Sequence, residues 1–206
     1  TKASSLQSWT TKKNLNFLRF DYSGHGESEG NFNEGTITKW SEEANEIFQK
    51  FKNKKNILIG SSMGGWISLI VAEKNPNHIN GLIGIASAPD FTVGEWYKLS
   101  SDEQLEFKKR GSMLFPDPDH GDYEVSYKFV NDGFNNLLLD KKIKIKCPVR
   151  LLHGKQDKVV PIITSQRIIE KILSEDKQLV VIKDGDHSLS RMEDLNILFN
   201  QIKYLI

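Results

Sequence analysis

Three side chains in this sequence have the types and the spacing for nucleophilic catalysis: Ser62, Asp157 and His187. A serine hydroxyl is a poor nucleophile at neutral pH and needs a base within hydrogen-bond reach. The base needs a third group that fixes its tautomer and steadies the positive charge it acquires. Ser62 stands in Ile57-Leu58-Ile59-Gly60-Ser61-Ser62-Met63-Gly64-Gly65, a β-favouring apolar run that ends in Gly-x-Ser-x-Gly and passes into a helical pattern. That layout makes a sharp strand-to-helix turn that lifts one hydroxyl above a sheet. Gly60 and Gly64 are expected there because side chains would collide in so tight a turn, and the serine must accept strained φ/ψ. Ser61 has Ile59 and Met63 at the same offsets and does not fit.

Asp157 lies in the loop His153-Gly154-Lys155-Gln156-Asp157-Lys158-Val159-Val160-Pro161, and His187 in Asp184-Gly185-Asp186-His187-Ser188. Both loops follow strand signals, and ligands of open α/β sheets bind at the carboxyl ends of strands. The chain order Ser, Asp, His is the one used on α/β-hydrolase sheets. Asp184 and Asp186 adjoin His187 too closely for a clean carboxylate–imidazole bond and read as solvated turn residues. His153 ends a strand and reads as a structural, hydrogen-bonded histidine. His78 and His120 stand beside turn residues and read as surface groups. His25, in Gly24-His25-Gly26, and Trp66, beside the turn, are candidate substrate-pocket residues. The backbone N–H of Met63, at the start of a helix, is the expected first oxyanion donor. The second donor comes from a loop before the first helix. Here a helix is already under way at Ala3, so that donor and the strands before it are expected to be absent from this sequence.

These residues need a scaffold of alternating strands and helices, and the sequence reads as one. Thr1 to Lys13 reads as a helix, Leu15 to Asp21 as a strand, and Ser23 to Asn31 as a glycine-rich loop. Thr36 to Phe51 is an amphipathic helix with Ile37, Trp40, Ala44, Ile47, Phe48 and Phe51 near helical spacing. Asn56 to Gly60 is a strand, followed by the post-turn helix, which stops at Asn75-Pro76. Ile79 to Ala86 is a strand whose apolar run suits burial on both faces. After it, 88–146 changes character: aromatic and apolar residues in short helical patterns, broken by Pro116 and Pro118. So long an excursion is not an ordinary connection and is expected to be a helical cap. The alternation then resumes with a strand over Pro148 to His153 and a helix opened by Pro161 and running to Leu173. A strand over Leu179 to Ile182 and a helix from Leu189 to Ile206 complete it. The expected division is a core over 1–87 and 147–206, with the cap over 88–146. The fold class is α/β with a largely parallel sheet.

Composition narrows the partners. The 206 residues carry a formal net charge of +1, which asks for neither nucleic acid nor an anionic membrane. No apolar run approaches the ~20 residues of a membrane helix. The single cysteine, Cys147, excludes an internal disulfide, suits a cytoplasmic location and reads as a small packing residue. The histidines lack metal-ligand spacing, so no metal is expected. Gly24-x-Gly26 lacks the third glycine of a dinucleotide fingerprint, and no phosphate-binding loop occurs, so no cofactor is expected. Oligomeric state is not legible.

With these residues placed, the chain resembles the α/β-hydrolase superfamily. The shared stretches are Asp21-Tyr22-Ser23-Gly24-His25-Gly26-Glu27-Ser28, Gly60-Ser61-Ser62-Met63-Gly64-Gly65-Trp66, Leu152-His153-Gly154-x-x-Asp157-x-x-Val160-Pro161 and Asp186-His187. More narrowly it is similar to bacterial homologues of the mitochondrial palmitoyl-protein thioesterases and acyl-glucuronide esterases. Leu18-Arg19-Phe20-Asp21-Tyr22-Ser23-Gly24 and Cys147-Pro148-x-Arg150-Leu151-Leu152-His153-Gly154 carry that likeness. The resemblance implies Ser62, Asp157 and His187 as nucleophile, acid and base, small-molecule ester or thioester substrates, and no cofactor. It also implies that family members carry the first strands and a glycine-rich oxyanion loop before the position of Thr1. Two other readings stay open: a shortened, weakly active chain that serves as a binding or scaffold protein, and a peptidase or acyltransferase on the same fold.

Overall fold

The computed structural model describes residues 1–115 and 122–206. The chain divides into two compact units. The first comprises Thr1–Phe20, Phe48–Pro89 and Leu139–Ile206, and the second Asp21–Ile47 and Asp90–Leu138.

The first unit opens with helix α1 (Lys2–Lys12), capped by the Thr1 side chain on the Ser4 N–H. Helix α2 (Ile37–Gln49) begins in the second unit and ends in the first. Strand β1 (Ile57–Ser61) leads into helix α3 (Met63–Lys74), and β2 (Gly81–Ile85) follows. Further along come β5 (Val149–Gly154), α7 (Ile162–Lys171), β6 (Lys177–Ile182) and α8 (Met192–Leu205). The strands form one parallel sheet in the order β1-β2-β5-β6. Parallel strands need crossovers, and helices α3 and α7 supply two of them.

Alternation decides which helix covers which face. Ile83, Ile85 and Leu152 point into a cluster with Leu6 of α1 and with Leu195, Leu198, Phe199, Ile202 and Leu205 of α8. Trp9 stacks on Phe199 at 5.0 Å between ring centroids, which fixes α1 against α8. The opposite side of the pleat carries Gly60, Gly84 and Leu151, with α3 and α7 over it. β2 is buried along its whole length, the doubly covered strand that its apolar run implies.

In the second unit, the loop 21–36 contains a short 3₁₀ turn over Phe32–Glu34 and leads into α2. Helices α4 (Phe91–Trp96), α5 (Ser101–Arg110) and α6 (Tyr127–Gly133) complete the unit together with a hairpin of β3 (Ser112–Phe115) and β4 (Tyr123–Ser126). Its core is Trp96, Phe107 and Val130, flanked by Leu99, Met113, Phe115, Val125 and Tyr127. α2 is tied to α6 by the Thr38 N–H on Asp132 Oδ2 at 2.8 Å and by Trp40 against Phe129.

Two expectations change. Residues 15–20 join none of the described sheet ladders, although their alternation reads as a strand. Alternation reports a half-buried pleat but not whether a neighbour is there to pair, and here Leu18 and Phe20 remain exposed. The aromatic stretch also contains the β3–β4 hairpin as well as short helices. Its strands have four residues each, too short for a period to register. Pro116, Pro118 and His120 lie outside the described residues.

Candidate active site

The parallel sheet sets the geometry. β1, β5 and β6 run the same way, so the loops after them leave the sheet at one edge. Ser62 follows β1, Asp157 follows β5 and His187 follows β6.

Ser62 has φ 54° and ψ −122°, a backbone conformation that L-residues rarely adopt. Its neighbours hold it there. The Ser62 N–H donates to the Ile85 carbonyl at 2.9 Å, and the Ser62 carbonyl accepts from Gly65 N at 2.9 Å and from Ala88 N at 3.1 Å. The turn is therefore tied both to the helix it opens and to the segment that leaves β2. Met63 begins α3, so its N–H is one of the first four in the helix, which have no partner inside it.

The glycines around this turn differ from expectation in one respect. A Cβ at Gly60 would overlap the Gly64 carbonyl and Ser68 Oγ, as the tight turn requires. A Cβ at Gly64 would meet nothing within 4 Å. The second steric requirement sits at Gly65, where a Cβ would run into the Ser87 side chain. Helix α3 crosses the β2 exit at Gly65, and a local sequence motif carries no trace of a contact with residue 87.

Asp157 and His187 meet directly: His187 Nδ1 lies 2.9 Å from Asp157 Oδ2. A carboxylate only accepts, so Nδ1 carries the proton and Nε2 is left bare and basic. The Asp157 side chain is 1% exposed and that of His187 26%. Asp157 Oδ1 accepts from Val159 N at 2.8 Å and Val160 N at 2.9 Å, which orients the carboxylate before the imidazole reaches it. The Asp157 loop and the His187 loop are joined by the Gln156 N–H on the Gly185 carbonyl at 2.8 Å. A Cβ at Gly154 would overlap the carbonyls of Gly185 and Asp186, so glycine permits this approach. Lys2 Nζ donates to the Ser188 carbonyl, anchoring the histidine loop to α1. Asp186 accepts from Leu189 N at 2.9 Å and serves that turn.

Of the pocket candidates, Trp66 is fully buried in the body of α3. His25 is half-buried in the second unit, edge-on to Trp40 at 4.7 Å and to Phe32 at 5.2 Å. His153 is wholly buried. Among the described residues no cluster of three or more His, Cys, Asp or Glu suits a metal ion, and no helix is long and apolar enough to cross a membrane.

The sheet with its flanking helices has the α/β-hydrolase fold. The chain belongs to the hydrolase family described as serine aminopeptidase, S33, whose model matches residues 3–120 and 123–194. It is 35% identical over 207 residues to the mouse mitochondrial palmitoyl-protein thioesterase ABHD10, covering 100% of this chain and 70% of that protein. The solved structure of mouse alpha/beta hydrolase domain-containing protein 10 superposes with a TM-score of 0.92 at 34% identity, over 99% of this chain and 82% of that one. A putative hydrolase from Agrobacterium vitis superposes with a TM-score of 0.93 at 35% identity, over 100% of this chain and 82% of that one.

Proposed function

We propose that the protein is a serine hydrolase that cleaves carboxylic ester or thioester bonds of small molecules through an acyl-enzyme. The observation that carries this reading is the part-buried 2.9 Å bond from His187 Nδ1 to Asp157, in the unit that also presents Ser62 at φ 54°. That bond leaves Nε2 as the basic atom. His187 takes the proton of the Ser62 hydroxyl as its oxygen attacks the acyl carbonyl. The Met63 N–H, at the positive end of α3, holds the oxyanion, and a single donor of this kind contributes about 10²–10³ in rate. His187 then returns the proton to the leaving alcohol or thiol. Water, deprotonated by the same nitrogen, releases the acid. Asp157 stays ionised throughout and steadies the imidazolium.

The thioesterase name of the 35%-identical mouse relative supports thioesters as the class to test first. The family's aminopeptidase description makes aminoacyl amides the competing class. The proposed setting is the cytoplasm, since a lone cysteine fits a reducing compartment.

The test is Ser62→Ala assayed with a short-chain p-nitrophenyl ester, an acyl thioester and an aminoacyl amide. Loss of about 10⁶ in kcat is expected for a removed nucleophile, together with loss of fluorophosphonate labelling. Turnover unchanged from wild type would overturn the assignment. Wild-type preference for the amide would replace the esterase reading by a peptidase one.

A further inference from the structure

The reaction above gives no task to His153, yet its ring is 0% exposed and every polar atom on it is engaged. Nε2 lies 2.9 Å from the Val160 carbonyl. A carbonyl only accepts, so the proton is on Nε2. Nδ1 is then a bare acceptor, and the hydroxyl of Ser165 on α7, itself 1% exposed, donates to it at 2.8 Å.

One of the two residues that this ring engages, Val160, is tied to Asp157. Val160 accepts from His153 through its carbonyl and donates its N–H to Asp157 Oδ1 at 2.9 Å. Pro161, with φ fixed at −63°, holds the same residue from the other side. His153 Nε2 also lies 3.5 Å from Asp157 Oδ2, the oxygen that receives His187. That is too long for a hydrogen bond, and the N–H is given to Val160, but the partly positive ring edge lies beside a buried carboxylate, where water does little to screen it. Asp157 is thus held at Oδ1 by the turn that His153 anchors, with His153 itself beside Oδ2.

We propose that His153, steadied by Ser165, is a positioning residue that keeps the Asp157 carboxylate aimed at His187. The proposal rests on the reading of Ser62, Asp157 and His187 as the reacting set. Without His153 the 157–160 turn loses its anchor, Asp157 turns away, and the imidazolium loses its counter-charge. Besides Asp157, the charged groups on or against the histidine loop are Lys183, Asp184, Asp186, bonded to Leu189 N, Lys2, bonded to the Ser188 carbonyl, and the Arg191–Asp194 pair. Among the described residues no bond joins any of these groups to His153, so the effect passes through Asp157.

The test compares His153→Leu, His153→Gln and Ser165→Ala with the wild type, using a soluble ester and full pH profiles. His153→Leu is expected to lower kcat about ten- to a hundredfold, as happens when groups that orient working histidines at metal sites are removed, with KM unchanged. The acid limb of kcat/KM should move to lower pH, because an imidazolium without its carboxylate gives up its proton more readily. The far-downfield proton resonance of His187 Nδ1 should weaken. His153→Gln, which can still offer an N–H toward Val160, should restore most of the rate, and Ser165→Ala should move the acid limb the same way by less. A folded His153→Leu with wild-type kcat and acid limb overturns the proposal, as does a rate loss that only tracks the loss of folded protein. If His153→Leu does not fold, a wild-type acid limb in Ser165→Ala overturns it. Ser62→Ala, run in parallel, separates the failures. Turnover surviving there sinks the underlying triad, whereas turnover lost there beside an unaltered His153→Leu sinks the positioning role alone.

Discussion

At Ser62 a common side chain sits on an uncommon backbone. Conformations of this kind cost on the order of 1–3 kcal/mol and persist where the surroundings over-determine them, as the bonds to Ile85, Gly65 and Ala88 do here. Cys147 is the opposite case, a reactive type kept inert. Burial pushes its thiol up to about 11, only partly offset by a backbone hydrogen bond. At neutral pH it is a thiol, so iodoacetamide should alkylate it slowly in the native protein and readily in denaturant. The same shift ties stability to pH. The folded thiol holds its proton above the unfolded value of 9.0, so unfolding releases a proton across the interval up to about 11. Its contribution is intact below about 9 and declines as pH rises toward about 11. Denaturation midpoints measured from pH 8 upward should fall across that interval, and Cys147→Ala should flatten the fall. An unchanged slope in the variant would remove Cys147 from the account.

Among the elements, the turn between β1 and α3 separates what a motif states from what a neighbour imposes. Gly64 belongs to the Gly-x-Ser-x-Gly pattern, yet a Cβ there has open space, whereas Gly65 outside the pattern abuts Ser87. Gly64→Ala should therefore leave stability within about 1 kcal/mol of wild type or raise it, alanine being the better helix former. Gly65→Ala should lose about 1–3 kcal/mol through overpacking. Thermal melts of the two variants check this, and a melt in which Gly64→Ala proves the more damaging would refute it. The same contrast runs through the fold. α1, α2, β1, α3, β2, β5, α7, β6 and α8 were legible because each is long or apolar enough for its own pattern to show in the sequence. The β3–β4 hairpin and the unladdered 15–20 were not, because short strands exist only through their neighbours.

For the molecule as a whole, chain order carried more than any single motif. A serine after one strand, an aspartate after a later one and a histidine after the next leave the sheet at one edge only if it is parallel, and it is. The bond between Asp157 and His187 follows from that edge. The network behind Asp157 did not follow, because its link to Ser165 depends on the rotation of α7 over β5, and a single sequence does not report a helix's rotation.

The Ser62 backbone bonds to Ile85 and Ala88 also bear on time. The Ser62 turn is closed by a strand and a segment that are synthesised after it, across a βαβ crossover. Helix α3 involves local contacts, whereas laying β2 beside β1 requires closing a longer loop, which is slower. On refolding from denaturant, fluorophosphonate labelling of Ser62 should return with the slow phase of sheet assembly and lag behind the helical circular-dichroism signal. Labelling that keeps pace with the helical signal would show that α3 alone builds the turn. On the proposed mechanism the serine would report its own protein's assembly: a ribosome-bound chain that has not yet emitted Ile85 lacks the bond that closes the Ser62 turn, and reactivity there is expected only once the second strand docks.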